Sequence, residues 1–309
     1  MAAGPVLCGV ELGGTKCVCL AGTGDGSILA QASVPTGSES QATLGRLEEL
    51  LRGFSAAHGP CAALGVASFG PLELRRGAAR YGRIGATTKE GWNGCDVGGF
   101  FAARFGLPLG LSTDVIGAAL AEGRWGAGRG LSDFAYVTVG TGVGVGLVAG
   151  ERAVLGWHHP ELGHIRVQRL GGDVWPGACR FHGDCVEGLA SGPAIEARSG
   201  ASPASLAADS PVWDTVAHAL AQLAHTLLVT TAPQRILFGG GVMSAQPQLL
   251  ARIRERLRQS LNGYLPLDQL PGGLEACVAP PGLGTRAGPL GALALAADAH
   301  AAATVTERS

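Results

Sequence analysis

The sequence predicts a mixed α/β protein built as two lobes, and three observations predict it. At 309 residues the chain is longer than a usual single core, which sets the prior at two lobes of about 100 to 200 residues each. Strand-like segments come first as a meander and later alternate with helical periodicity, the pattern of mixed layers. The same order then returns loosely after residue 134, where a strand, a Gly/Thr turn and further strands follow one another again.

Taken in order, residues 6–10 read as a strand that runs into Glu11-Leu12-Gly13-Gly14-Thr15-Lys16. Residues 17–21 and 28–33 are two more strands, joined by the hairpin turn Thr23-Gly24-Asp25-Gly26. Leu44, Leu47, Leu50 and Leu51 recur at helical spacing and predict a helix over 38–53. Residues 62–68 and 109–113 are strands, and the second runs into Asp114 before a helix over 115–124. The second half opens with a strand at 134–139, the turn Gly140-Thr141-Gly142-Val143-Gly144-Val145-Gly146, and strands at 145–149 and 153–155. A long helix over 211–231, a short buried strand at 235–238, the tight turn Gly239-Gly240-Gly241 and a helix over 246–262 come next. An Ala-rich helix from about residue 288 closes the chain.

Composition narrows the function classes. The 23 Lys and Arg balance 24 Asp and Glu, for a net charge of -1, and they are scattered, so the electrostatic footprint of a nucleic-acid binder is missing. The uncharged stretch between Asp133 and Glu151 has repeated Gly and two Thr, which fit strand-turn-strand better than a lipid-facing helix. Met1-Ala2-Ala3-Gly4-Pro5 lacks the basic and apolar pattern of a signal segment, so a cytoplasmic protein is expected. Its eight cysteines then read as reduced thiols or metal ligands. Cys8, Cys17, Cys19, Cys61 and Cys277 sit in apolar segments as small core residues, whereas Cys179 and Cys185 have polar, Gly-rich neighbours.

Gly-rich turns let backbone N–H groups approach a phosphate without Cβ obstruction, so the turns at 13–16 and 140–146 are candidate anion nests. Each is equally readable as a plain hairpin. The second lacks the G-x-G-x-x-G spacing and is followed by a strand, which argues against a dinucleotide fold, and neither turn has the P-loop spacing. Asp114 follows a strand and opens a helix, a place for a cleft-facing carboxylate or for an ordinary N-cap. Cys179, His182 and Cys185 at three-residue intervals, with His164, make an N2S2 set that suits zinc with no open position, a structural site; the alternative is a core histidine with incidental cysteines. Glu161 and Glu187 flank this loop, as sugar-hydroxyl acceptors or as solvated surface.

Together these motifs resemble the ROK family of sugar kinases, within the actin-like, ribonuclease H-like ATPase group. The resemblance covers essentially the whole chain: Gly-Gly-Thr-Lys at 13–16, Thr113-Asp114, the turn at 140–146, Glu161-Leu162-Gly163-His164, Glu187-Gly188-Leu189-Ala190-Ser191-Gly192-Pro193 and Gly239-Gly240-Gly241-Val242-Met243. The Cys-x-x-His-x-x-Cys loop, His159-Pro160-Glu161 and Ser68-Phe69-Gly70-Pro71 look like the bacterial fructokinase branch.

That resemblance implies a two-lobed actin-like fold with a cleft between the lobes. The small lobe would span 1–115 and be completed by the helix of 286–309, and the large lobe, 116–285, would carry the zinc loop. It implies Asp114 as the catalytic base that takes the proton of the sugar's primary hydroxyl as this attacks the γ-phosphoryl group of ATP. Gly13, Gly14, Thr15, Lys16, Thr141 and Gly142 match the phosphate motifs, and Gly192, Pro193, Gly239, Gly240 and Gly241 the adenosine region. Gly70, Thr113, Asp114, Glu161, His164 and Glu187 match the sugar side; His164, Cys179, His182 and Cys185 match the zinc ligands, His164 using its other ring nitrogen toward the sugar. Mg2+ with ATP, structural Zn2+, a hexose and a homodimer are implied as well. Two departures from the family pattern, at three positions, matter. Glu11 stands where most relatives carry the Asp that helps hold hydrated magnesium, and Thr113 and Thr88, the latter four residues before Trp92, replace the Asn residues of glucose-preferring relatives. Fructose is therefore the expected sugar, with glucose, mannose and N-acetylhexosamines as alternatives. The family's repressors place a helix-turn-helix domain before the core, and the first strand here is expected within about six residues of Met1, too early for one.

Overall fold

The structure, a computed structural model, describes residues 4–270 and 272–306. Strands β1 (Val6–Leu12), β2 (Lys16–Gly22) and β3 (Ile28–Pro35) form an antiparallel meander. Helix α1 (Ser40–His58) leads to β4 (Cys61–Ser68), and α2 (Val97–Phe105) leads to β5 (Leu109–Thr113), with β4 parallel to both β1 and β5. Helix α3 (Asp114–Trp125) follows without a break. The second half starts with the antiparallel strands β6 (Phe134–Val139), β7 (Val143–Ala149) and β8 (Arg152–Ala153). After the short helices α4 (Val186–Ala190) and α5 (Gly192–Ser199) come α6 (Val212–Thr230), β9 (Arg235–Gly239), α7 (Gly241–Ala245), α8 (Leu249–Leu261), α9 (Gly273–Cys277), β10 (Val278–Ala279) and α10 (Ala287–Thr306).

The loose repeat in the sequence is a repeat of sheet topology. The first sheet runs β3-β2-β1-β4-β5 and the second β8-β7-β6-β9-β10, three antiparallel strands followed by two parallel ones each time. In register, Leu12 pairs with Ser68 and Ser68 with Thr113, so β1, β4 and β5 end at one edge. In the second sheet Thr138 pairs with Gly239, and β6 and β9 likewise end together. Ligands of open α/β sheets bind outside the carboxyl ends of the strands, and these two edges bear the turns at 13–16 and 140–142, Gly70, Asp114 and Gly239 to Gly241.

The chain divides into two units. One runs to Arg129, takes in Leu155–His159 and resumes from Arg286; the other comprises Gly130–Val154 and Pro160–Thr285. The boundary expected at 115/116 is thereby corrected: α3 belongs with the first unit because it packs on α10, glycine against glycine. A Cβ on Gly291 would sit 2.4 Å from the Gly117 carbonyl carbon. The same helix lies so close on the sheet that a Cβ on Gly65 would come within 1.9 Å of the Ala292 oxygen. The opposite face of this sheet, with Cys8, Val10, Leu12, Leu64 and Val66, packs on α1 and α2 through Leu44, Leu47, Leu51 and Phe101. The second unit's core gathers Val137, Val145, Ile236 and Phe238 around α6 and α8. Among the described residues no helix is long and apolar enough to cross a membrane, the Ala-rich α10 included.

Strand and helix expectations differ from the structure mainly at their ends. The first strand runs on to Leu12, and the 38–53 helix continues to His58. Helices α2, α4, α5, α7 and α9 were not anticipated: they have five to nine residues, too short to show a periodic stripe.

Candidate active site

At the carboxyl edge of the first sheet, the turn after β1 is closed by the Gly13 N–H donating to the Lys16 carbonyl at 3.1 Å. A Cβ on Gly13 would lie 2.7 Å from that oxygen, so glycine is required there. Sequence reading missed the residue that braces this turn. Thr36, fully buried, donates from its hydroxyl to the Gly13 carbonyl (2.7 Å) and from its N–H to the Thr15 carbonyl (3.0 Å). Its own carbonyl accepts from the Thr43 hydroxyl in α1 at 2.8 Å. A lone Thr between a strand and a helix carries no motif, and only the fold reveals its task. Thr36→Val keeps the shape and removes the donor, orphaning the half-buried Gly13 carbonyl at a cost of about 1 kcal/mol. On the phosphate role that the resemblance implies for this turn, the expected result is an ATP KM raised several-fold, with hexose KM unchanged in steady-state kinetics.

Asp114 stands beside this turn. The capping alternative is answered against it: Thr113 is the N-cap of α3, its hydroxyl accepting from the Ile116 N–H at 3.3 Å, and Asp114 is the first helical residue. Thr113 is buried, and its side-chain oxygen serves the helix. The Asp114 carboxylate is free of that duty. It accepts from the Val115 N–H at 2.9 Å and stays partly exposed, while loss of water raises its carboxyl from 3.8 to about 6. Glu11 is raised further, to about 7, first by burial and then by the negative charge of Asp114, with Lys16 opposing. Its carboxylate lies against the start of α10, where a Cβ on Gly288 would be 1.9 Å from Glu11 Oε1. Two carboxylates thus share one sheet edge with Lys16, and the proton affinities of Glu11 and Asp114 are pushed toward neutrality. Gly70 emerges at the same edge, just after Phe69, whose N–H donates to the Leu12 carbonyl at 2.8 Å. The Phe69 ring meets buried Trp92 edge to face at 5.4 Å.

At the second edge, the Gly140 N–H donates to the Gly142 carbonyl (2.9 Å), and the Gly192 N–H to the Gly140 carbonyl (2.7 Å). Gly240, at φ +93°, follows β9 so closely that a Cβ would lie 2.4 Å from the Val139 oxygen. Thr141, Gly142, Gly192, Pro193 and Gly239 to Gly241 are therefore gathered around one turn. Ser191 caps α5, its hydroxyl accepting from the Ala194 N–H at 3.3 Å, and Pro193 sits in the first turn, where its missing N–H costs nothing.

The segment between β8 and α6 carries the Cys/His loop. The N–H and carbonyl groups of Cys179 and Gly183 exchange hydrogen bonds of 3.0 and 2.9 Å, and the Ala178 N–H donates to the Gly188 carbonyl. This knuckle turns Cys179 Sγ to 3.7 Å from both His164 Nδ1 and His182 Nδ1, and Cys185 Sγ lies 3.6 Å from His164 Nδ1. All four donor atoms fall within 4.8 Å of one another. A tetrahedron with arms of about 2.0–2.3 Å has edges near these separations, so the set can hold a metal ion. Burial and the neighbouring Cys179 thiol hold Cys185 above the ordinary thiol range, against the Gly188 N–H that pulls it down. His164 turns its other nitrogen, Nε2, to Glu187 Oε1 at 4.0 Å. Glu187 Oε2 in turn accepts from the Val143 N–H (3.1 Å) and occupies the space a Cβ on Gly142 would take. Thus Glu187 ties the Cys/His loop to the second Gly/Thr turn, a link no spacing rule reports. Glu161 is exposed one residue before the short 3-10 turn Leu162–His164.

The family model for the ROK family matches residues 7–299. The chain belongs to the ROK family. This ROK chain is 39% identical over 291 residues to the putative fructokinase of Bacillus subtilis (strain 168), covering 94% of the chain and 95% of that relative. It is 37% identical to the fructokinase of Pediococcus pentosaceus, over 93% and 96% of the two chains. Its fold superimposes with a TM-score of 0.76 on the ROK family glucokinase from Streptomyces griseus solved with glucose and AMPPNP, at 25% identity over 95% of this chain and 99% of that one. The repeated five-stranded topology is accordingly that of the actin-like ATPases.

Proposed function

We propose that this ROK protein is an ATP-dependent hexose kinase that converts D-fructose to fructose 6-phosphate. The observation that carries the reading is Asp114, a partly exposed carboxylate at the carboxyl edge of the first sheet with its proton affinity raised to about 6. A base so tuned is deprotonated at neutral pH yet near enough to it to take a proton. It would accept the proton of the sugar's primary hydroxyl as that oxygen attacks the γ-phosphorus, and ADP leaves with the bond to the bridging oxygen broken. Phosphoryl transfer needs positioning and charge stabilisation more than bond chemistry from the protein. The turn at 13–16, with Lys16, and the turn at Thr141 and Gly142 supply backbone donors for the phosphates. Gly192, Pro193 and Gly239 to Gly241 receive the adenosine part. Gly70, Thr113, Glu161, His164 and Glu187 form the sugar side, Thr113 acting through the first turn of α3.

Magnesium fits the oxygen-rich edge at Glu11 and Asp114, and when bound with ATP it neutralises phosphate charge. Zinc fits the N2S2 set of His164, Cys179, His182 and Cys185, where it supplies rigidity rather than chemistry. Fructose is favoured over glucose because full-length identity to fructokinases is 37–39%, against 25% to the glucose-bound kinase. Thr113 and Thr88 in place of amides support the same choice. A dimer and a cytoplasmic setting complete the reading. A coupled ADP-release assay over fructose, glucose, mannose and N-acetylhexosamines tests it: fructose is expected to give the highest kcat/KM. Preference for an aldohexose would move the substrate, and no turnover with any sugar would point to a sensor.

A further inference from the structure

His159 is a 6%-exposed histidine that neither the metal set nor the phosphate turns use. It lies in the short stretch Leu155–His159 that the second half of the sequence contributes to the first unit. Its Nε2 accepts a hydrogen bond from the Leu72 N–H at 3.0 Å. A ring nitrogen that accepts carries no proton, so the imidazole is neutral with its hydrogen on Nδ1. Leu72 itself is fully buried and follows Gly70–Pro71 directly. The preceding end of this segment is tied to the sheet by the Phe69 N–H on the Leu12 carbonyl, and Pro71 accepts from the Gly85 N–H at 2.7 Å. Gly70 is thus suspended between two fixed points, one on the sheet edge and one on a histidine more than eighty residues away in sequence. Neighbouring groups reinforce the second point. The His158 ring packs 4.0 Å from that of His159, and Trp157 lies under the Arg75 guanidinium, which pairs with Glu73.

We infer that His159 is a positioning residue for the hexose: its imidazole acceptor on the Leu72 N–H sets where the Gly70 turn meets the sugar. The inference rests on the reading of Gly70 as part of the sugar side. It assigns His159 no contact with substrate and no part in proton transfer. Removing the acceptor leaves a buried N–H unsatisfied, and the turn relaxes to find another partner. Hexose binding should weaken while the nucleotide turns, held by Thr36 and Gly192, keep their geometry.

The test uses the full chain and two variants. His159→Leu keeps apolar bulk without an acceptor, and His159→Gln places an amide oxygen near the position of Nε2. In His159→Leu the fructose KM is expected to rise about tenfold, equivalent to about 1.4 kcal/mol, with ATP KM within twofold of the parent. His159→Gln is expected to recover most of the loss. Amide hydrogen exchange at Leu72, read by NMR without turnover, should be slow in the parent and His159→Gln and fast in His159→Leu. A parent enzyme active on fructose whose His159→Leu variant keeps its hexose KM, or loses ATP and hexose affinity alike, overturns the inference. A slow Leu72 amide in His159→Leu overturns the pin itself, whatever the activity. A parent chain that neither turns over nor binds any hexose overturns the functional reading instead, and with it the sugar role of the pin.

Discussion

Asp114→Asn is expected to lower kcat by about 10²–10⁴-fold, the range of a lost general base, with ATP binding and zinc content retained. Asn keeps the size and can still accept from the Val115 N–H, so the loss reports the missing proton acceptor rather than a collapsed helix start. The pH dependence gives a second handle. Asp114 must be ionised to take a proton, so the parent's kcat/KM should fall as pH drops through about 6. Stability should move the other way. The folded-state carboxyl binds its proton more tightly than the unfolded one, with its value raised from 3.8 to about 6. Between those values the native state holds a proton that the unfolded chain has released, and lowering the pH through that window stabilises the fold at this group. Glu11, raised from 4.5 to about 7, contributes with the same sign over a higher window. The Asn variant removes Asp114's share of this dependence and should melt at or above the parent near neutral pH. Thermal melts from pH 4 to 8 beside the kinetic profile check both signs. Near-normal turnover in the variant would reject Asp114 as the base.

The second large effect belongs to the Cys/His loop. The purified protein should carry about one zinc ion per chain, and Cys185→Ser should reduce this to near zero. Without the ion the loop keeps only polar ties, its knuckle hydrogen bonds and the Asp184 pairs with Arg166 and Arg169, and Phe181 at its tip is exposed. Losing the ion should lower Tm on the order of 10 °C, since each kcal/mol is worth about 2–4 °C in domains of this size. Hexose turnover should fall as well, because His164 and Glu187 would lose their common support and Glu187 also holds the Val143 N–H. Cys61→Ser, which alters a thiol far from the loop in sequence, serves as the control and should keep its zinc. Metal analysis by mass spectrometry with thermal melts reads the outcome; a metal-free parent of undiminished stability would remove zinc from the account.

Much of this was legible from residue order because the elements involved are long, periodic or punctuated. Leu44, Leu47 and Leu51 sit on one helical stripe, and with Thr43 they are the buried face of α1. The strand at 109–113, read as running into Asp114, has those limits in the structure. Cys179, His182 and Cys185 lie close in sequence, so their convergence needs only a local knuckle. His164 lies 15 residues before Cys179 and entered as the donor that completes the N2S2 set. What could not be read was every constraint set by a partner remote in sequence. Thr113 rather than Asp114 caps α3, and local propensity favours both residues for that place. Helix α3 joined the first unit against expectation, because the glycine face it shares with α10 is visible only when residues 117 and 291 meet.

The sequence by itself determined the classes of element, their repeated order and the chemistry on offer: phosphate-sized glycine turns, a carboxylate after a strand, and a four-donor metal set. These are local properties, dictated by side-chain period and by the few residues each turn tolerates. Tertiary structure alone decided which of them share an edge. The register that ends β1, β4 and β5 together brings Glu11, Lys16, Gly70 and Asp114 into one electrostatic neighbourhood, and burial there moves two carboxylates toward neutrality. Thr36 behind the first turn, Glu187 across to Val143 and His159 beneath Leu72 are tertiary decisions too. Each satisfies a backbone group whose partner lies twenty or more residues away, and a buried polar group finds its partner only once the chain has packed.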